Sequence, residues 1–210
     1  MTFTERDLSS LRDEVKKRLS LERYAHTLSV EAEVAEMGKL YLPQDIEELR
    51  VAALLHDITK VGSSESQIEL CHRLNLHCTD EEMMAPQVLH GKTAAAIISR
   101  EFPKYATTRV ISAVEKHTVG QVEMSCFDMI VFVADYIEGT REIQNCQDVR
   151  RYFWDASPEV LTSERHLKMT MCIILKNTLE YLEKKNAMID PRTRGTYLWL
   201  CRDLGLMDKE

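Results

Sequence analysis

The chain has 210 residues, 44% of them hydrophobic, and a formal net charge of −7. This length and apolar fraction exclude a disordered polymer and allow one substantial core. The acidic balance argues against nucleic-acid or anionic-membrane partners, which need a basic face, but it permits a small anionic substrate held by a local basic cluster. Gly (7) and Pro (5) are few, so long helices with short connections are expected.

In chain order, "DLSSLRDEVKKRLSLERYAHTLSVEAEVAEMGKLY" predicts a short helix and then a longer one, with Leu8, Leu11, Val15 and Leu19 at helical spacing. "PQDIEELRVAALLHDI" predicts a helix from Pro43, with acids near its start. "SSESQIELCHRL" carries Ser/Glu start signals, and "TDEEMMA" is a short helical piece behind a capping Thr or Asp. "QVLHGKTAAAIISREF" is the next helix, with Gly91 inside it, and "YATTRVISAVEKHT" follows and stops near Gly120. "CFDMIVFVADYIEGTRE" reads as helix, since its β-branched run has no partner strand. "SPEVLTSERHLKMTMCIILKNTLEYLEKKN" predicts one long helix with Pro158 inside a Ser157 cap, and "DPRTRGTYLWLCRDLG" a last short one. The expected architecture is a single all-α domain over residues 1–210, its helices packed on one core.

Six cysteines are scattered without a C-x-x-C, and neither a signal-peptide pattern nor an apolar run of about 18 residues stands out. A reduced, cytoplasmic setting with free thiols is expected. "CHRLNLHC", Cys71 to Cys78, has adjacent Cys-His pairs that do not match zinc-ligand spacing, so it reads as a helix end and loop.

Polar residues interrupt several apolar runs. His26 lies in "RYAHTLSV", His56 and Asp57 end "VAALLHD", His90 follows "PQVL", His117 ends "VISAVEKH", and Asp135 closes "MIVFVAD". A carboxylate in such a run is costly to bury unless paired or coordinated. Four imidazoles and two carboxylates from neighbouring helices are what a divalent metal site in a bundle core uses. His72, His77 and His166 are left as core or surface residues, and Met169, Met171, Phe153, Trp154 and Trp199 as core or interface.

The order His26…His56-Asp57…His90…His117…Asp135 resembles the metal-dependent HD-domain phosphohydrolase superfamily. "RYAHTLSV", "AALLHDITK", "VLHGKTAA", "VEKHTVG" and "VADYIEGTRE" resemble its YqeK-type symmetrical bis(5′-nucleosyl)-tetraphosphatases, over about Leu19 to Thr193. The resemblance implies an HD helical bundle with its metal site in the core, and hydrolysis of diadenosine tetraphosphate to two ADP. It implies iron, although mixed imidazole and carboxylate suits manganese or zinc as well. His26, His56 and Asp135 would hold one ion, His90 and His117 a second, with Asp57 bridging. Asp57 and Lys60 are the expected catalytic residues.

Substrate contacts are expected from His26, Lys60, His90, His117, Thr118, Asp135 and Arg141, and from Pro191 and Thr193 by resemblance alone. Lys60 lies one turn past His56, and Arg141 six residues past Asp135. Glu138 is expected to orient a ligand or pair with Arg141, while Lys92 and Lys116 are expected to be solvated. The resemblance further implies a homodimer. Two other readings stay open: an HD phosphohydrolase acting on another nucleotide or phosphorylated metabolite, and a non-catalytic HD signalling module.

Overall fold

The computed structural model describes residues 3–60 and 62–207, and these form helices, turns and loops with no strand. Thr4 opens α1 (Glu5–Arg18) with a capping box to Asp7, and the stripe Leu8, Leu11, Val15 is buried. Ser20 caps α2 (Leu21–Tyr41), which packs along α3 (Ile46–Leu55) where Gly38 meets Ile46 and Leu49 closely. The buried Glu31 carboxylate of α2 receives Arg12 from α1 (2.6 Å) and Arg50 from α3 (3.0 Å), tying the three helices together.

Next come α4 (Ser64–Arg73), the short α5 (Asp80–Met84), a 3₁₀ turn at Pro86–Val88, α6 (Leu89–Glu101) and α7 (Thr108–Lys116). Gly91 sets the α6–α7 approach, because a Cβ there would sit 2.9 Å from the Glu115 carbonyl and 3.1 Å from that of Val114. At the centre lies α8 (Cys126–Ile137), buried continuously from Phe127 to Ala134, as a helix apolar on all sides must be. It touches α2, α7 and α11, and α9 (Gln144–Trp154), α10 (Pro158–Leu161), α11 (Glu164–Lys184) and α12 (Pro191–Asp203) complete the bundle. None of the described helices is long and apolar enough to cross a membrane.

Three expected elements differ. Pro43 does not open α3. It sits in the turn closed by Asp45 N–H to the Leu42 carbonyl (2.9 Å), a use of its fixed φ that competes with helix initiation. The long helix from Pro158 is broken at Thr162–Ser163. Thr162 bonds back to the Pro158 carbonyl (3.0 Å) and Ser163 turns extended, a local competition with the helix ladder that these side chains favour. Finally, α9 is a helix the sequence reading passes over. Its buried residues are Cys146, Val149 and Phe153, three and four apart, on an otherwise polar segment.

Candidate metal centre

Four helix termini and one helix body deliver the side chains. α3 stops at Leu55, and the chain then turns through His56–Thr59, burying His56 and Asp57 completely. Thr59 pins this turn to α6 by donating to the His90 carbonyl (3.0 Å) and meeting Thr93 Oγ1 (2.8 Å). His90 stands where the 3₁₀ turn runs into α6, His117 caps the end of α7, Asp135 lies in the last turn of α8, and His26 projects from within α2.

The two oxygens of Asp57 face different partners. Oδ2 is 3.4 Å from His56 Nε2 and 3.7 Å from His26 Nε2, and His26 Nε2 is 3.0 Å from Asp135 Oδ1. Oδ1 is 3.3 Å from His90 Nε2 and 3.6 Å from His117 Nε2. Within His26/His56/Asp57, within His56/His117/Asp135 and within Asp57/His90/His117, the donor atoms lie within 4.8 Å of one another.

The ring tautomers follow from the outer nitrogens. Nδ1 of His56, His90 and His117 donates to the carbonyl three residues earlier, those of Ala53, Gln87 and Val114, at 2.6, 2.6 and 2.7 Å. The Ala53 and Val114 carbonyls lie in the last turns of α3 and α7, where the helix ladder leaves carbonyls without partners. Nδ1 of His26 instead meets Glu138 Oε1 at 3.1 Å. With Nδ1 carrying the hydrogen, each Nε2 turns a lone pair inward.

This arrangement fits a cation. Nε2 of His26, Nε2 of His56 and Oδ1 of Asp57 are buried without a hydrogen-bond partner. The His90 and His117 Nε2 atoms face each other at 3.0 Å, and the Thr118 hydroxyl, 3.0 and 3.2 Å away, can give its one hydrogen to only one of them. Buried polar atoms left this way are costly, and divalent cations bound among them would satisfy them.

Charge is arranged around the same point. Burial opposes ionisation of Asp57, but His56 and His117 hold its carboxyl well below the usual range. Asp135 is likewise held down against burial, by His26, His56 and Arg141. Burial lowers the His26 pKa, yet the Asp135 and Glu138 carboxylates more than offset it and leave it raised. His90 is pushed down to about 3 by burial, by Lys60 and by His117.

Lys60 Nζ lies 3.5 Å from Asp57 Oδ1 and is about one-third exposed. Arg141 is engaged with Asp135, donating to Oδ1 (2.8 Å) and to its carbonyl (3.1 Å). A cavity of about 100 Å³ opens over the centre, lined by Lys60, His90, His117, Thr118 and Asp135 on one side and by Phe132, Tyr136, Ile174 and Thr178 on the other. Pro191 lies in a different cleft, with Lys92, Glu82 and Arg192, and Thr193 is buried on α12, outside the lining of the metal-side cavity.

Lys92 and Lys116 are not simply solvated, since they pair with Glu82 (2.6 Å) and Asp128 (3.3 Å). His166 is a buried core residue bonded to the Phe153 carbonyl (3.0 Å), and His72 and His77 are exposed. One contact escaped the sequence reading: Arg23 donates to Asp57 Oδ2 at 3.0 Å. Its signal was its place one turn before His26, on the same helix face.

A model of the HD domain matches residues 23–140, which span every one of these six donors. The chain belongs to the HD domain family. The HD segment therefore begins on α2 and ends just past α8, with α9–α12 added behind it. The chain is 29% identical to the symmetrical bis(5′-nucleosyl)-tetraphosphatase of Bacillus subtilis, over 89% of this chain and 93% of that one. It is 30% identical to the protein of the same name from Halalkalibacterium halodurans, over 87% of this chain and 91% of that one. The crystal structure of a predicted HD superfamily hydrolase involved in NAD metabolism from Clostridium acetobutylicum superposes with a TM-score of 0.80 at 23% identity, covering 97% of this chain and all of that one.

Proposed function

We propose that this HD domain hydrolyses diadenosine tetraphosphate symmetrically, giving two ADP. The observation that carries the reading is the buried Asp57, whose two oxygens face two imidazole clusters with Lys60 at 3.5 Å. Relatives of nearly the same length bear the name of that activity.

We propose that His26, His56, Asp57 and Asp135 would hold one ion, and His90, His117 and Asp57 a second. A divalent cation bound there supplies positive charge to phosphate oxygens and makes water acidic enough to be deprotonated near neutral pH. Iron is our choice, on the sequence resemblance; the donor set serves manganese and zinc equally. Lys60 holds a phosphate oxygen through Nζ, and Thr118 donates its hydroxyl to another. Arg141, released in part from Asp135, and Arg23 place guanidinium N–H groups at the rim. The cavity, about 100 Å³, is well under the roughly 300 Å³ that a drug-sized ligand occupies, so it takes phosphate groups while the nucleosides stay outside. Contacts from Pro191 and Thr193 to the nucleotide rest on resemblance alone.

Water attacks one β-phosphorus, and the bond from that phosphorus to the central bridging oxygen breaks. The departing half is ADP, and the attacked half, now carrying the water oxygen, is also ADP. The same reading makes the chain one domain, cytoplasmic and homodimeric.

The test is anaerobic purification, metal quantification and hydrolysis in ¹⁸O-water with mass analysis. ADP as sole nucleotide product, half of it carrying one ¹⁸O, is expected. ATP plus AMP, or no turnover of this substrate beside rapid turnover of a monophosphate, overturns the reading.

A further inference from the structure

His26 differs from the other three imidazoles in how its outer nitrogen is held. It lies inside the 21-residue α2, where the carbonyls carry the helix ladder. The carbonyl route that serves His56, His90 and His117 is therefore closed to it. Its Nδ1 partner comes instead from 112 residues away, Glu138 Oε1 at 3.1 Å. Glu138 is fully buried just beyond α8. Thr140 fixes it with its backbone N–H on Oε2 (2.6 Å) and its hydroxyl on Oε1 (2.7 Å). The carboxylate thus takes three donors, with the Arg141 guanidinium 3.6 Å from Oε1, and Glu138 is not among the residues lining the cavity.

We propose that Glu138 is a positioning residue for the centre. It keeps His26 in the Nδ1–H tautomer and sets the ring plane, so that Nε2 points its lone pair at Asp57 and Asp135. Thr140 holds Glu138 in turn. Glu138 and Thr140, in the α8–α9 turn and outside the cavity lining, then govern how well the centre binds a divalent ion. The inference rests on the assignment of these residues as metal ligands. Partners behind a ligating imidazole commonly change metal affinity by about 10- to 100-fold when removed.

Glu138→Gln is the informative substitution. If the amide oxygen faces His26, its NH₂ opposes the Thr140 N–H. If the amide is turned round, its NH₂ faces Nδ1 and drives the hydrogen of His26 to Nε2, where it blocks ligation.

The experiment measures zinc affinity by chelator competition in the full chain, with the His26 tautomer read from long-range ¹H–¹⁵N NMR of the metal-free and zinc-loaded protein. Glu138→Gln and Glu138→Ala are expected to weaken binding about 10- to 100-fold and to lose the single Nδ1–H tautomer at His26 alone. Thr140→Ala, which removes one hydroxyl and keeps the backbone donor, is expected to weaken it about 2- to 10-fold and stays informative if the Glu138 variants fail to fold. Wild-type protein that binds no zinc, manganese or iron overturns the ligand assignment itself. Wild-type protein that binds while the variants bind equally well, with His26 in the same tautomer, overturns the role of Glu138 alone.

Discussion

On the α2–α3–α8 side of the centre, two imidazoles meet two carboxylates, and a third carboxylate stands behind His26. On the α6–α7 side, two imidazoles meet one oxygen of Asp57, a threonine hydroxyl and, through that oxygen, the Lys60 ammonium. The first side reaches the cavity only through Asp135, since His26 and His56 do not line it; the second opens onto it through His90, His117, Thr118 and Lys60. Similar ligand types therefore differ in local charge. An anionic, enclosed set favours a cation, whereas His90, kept neutral by burial, Lys60 and His117, sits where an incoming phosphate first meets protein.

Breaking each side in turn tests this contrast. His26→Ala should strip the ion from the first side and lower turnover by on the order of 10²–10³-fold, the loss typical of one preorganised electrostatic contact. His117→Ala should lower turnover while about one equivalent of metal stays bound, as counted by plasma mass spectrometry. Loss of both ions from His117→Ala, or retention of both in His26→Ala, would erase the distinction between the sides.

A smaller effect is expected from Lys60→Ala. It removes a charge-assisted contact worth about 1.5–3 kcal/mol, or roughly one to two decades in kcat/KM, with the metal content unchanged. Normal kinetics would leave Lys60 as a partner of Asp57 and nothing more.

The smallest change reaches the second side through its backbone. Gly91→Ala places a methyl 2.9 Å from the Glu115 carbonyl and 3.1 Å from the Val114 carbonyl that holds His117. Forcing α6 and α7 apart should cost about 1–3 kcal/mol in denaturant unfolding. It should also weaken the His90–His117 pair and spare the metal on the first side.

How far the sequence could be read differs by residue. The six donors were legible because each polar residue interrupts an apolar helical run, and a buried charge there requires a partner. Arg23 was not, because its place one turn before His26 gains meaning only when Asp57 arrives from another helix. Arg141 was read toward phosphate or Glu138, and its bond to Asp135 depends on how the chain turns after Ile137, which no periodicity encodes. The break at Thr162–Ser163 was hidden because both residues are acceptable inside a helix; the choice is made by Thr162 bonding back to Pro158. Helix α9 was missed because three buried residues on a polar segment give a weak stripe, which packing on α8 and α11 completes.

His56, His90 and His117 all stand at helix ends and draw on the carbonyl three residues earlier. Helix ends are where a bundle ordinarily begins to fray. Ions held by these imidazoles and joined through Asp57, as proposed above, would act as rivets through α3, α6 and α7, so that their release and the loosening of those ends become one event. Whatever affinity the centre has for its ion is added, by mass action, to the stability of the fold. Metal starvation would then be felt first as a softer protein, in faster amide exchange at Leu55, Leu89 and Lys116, before any change in its core.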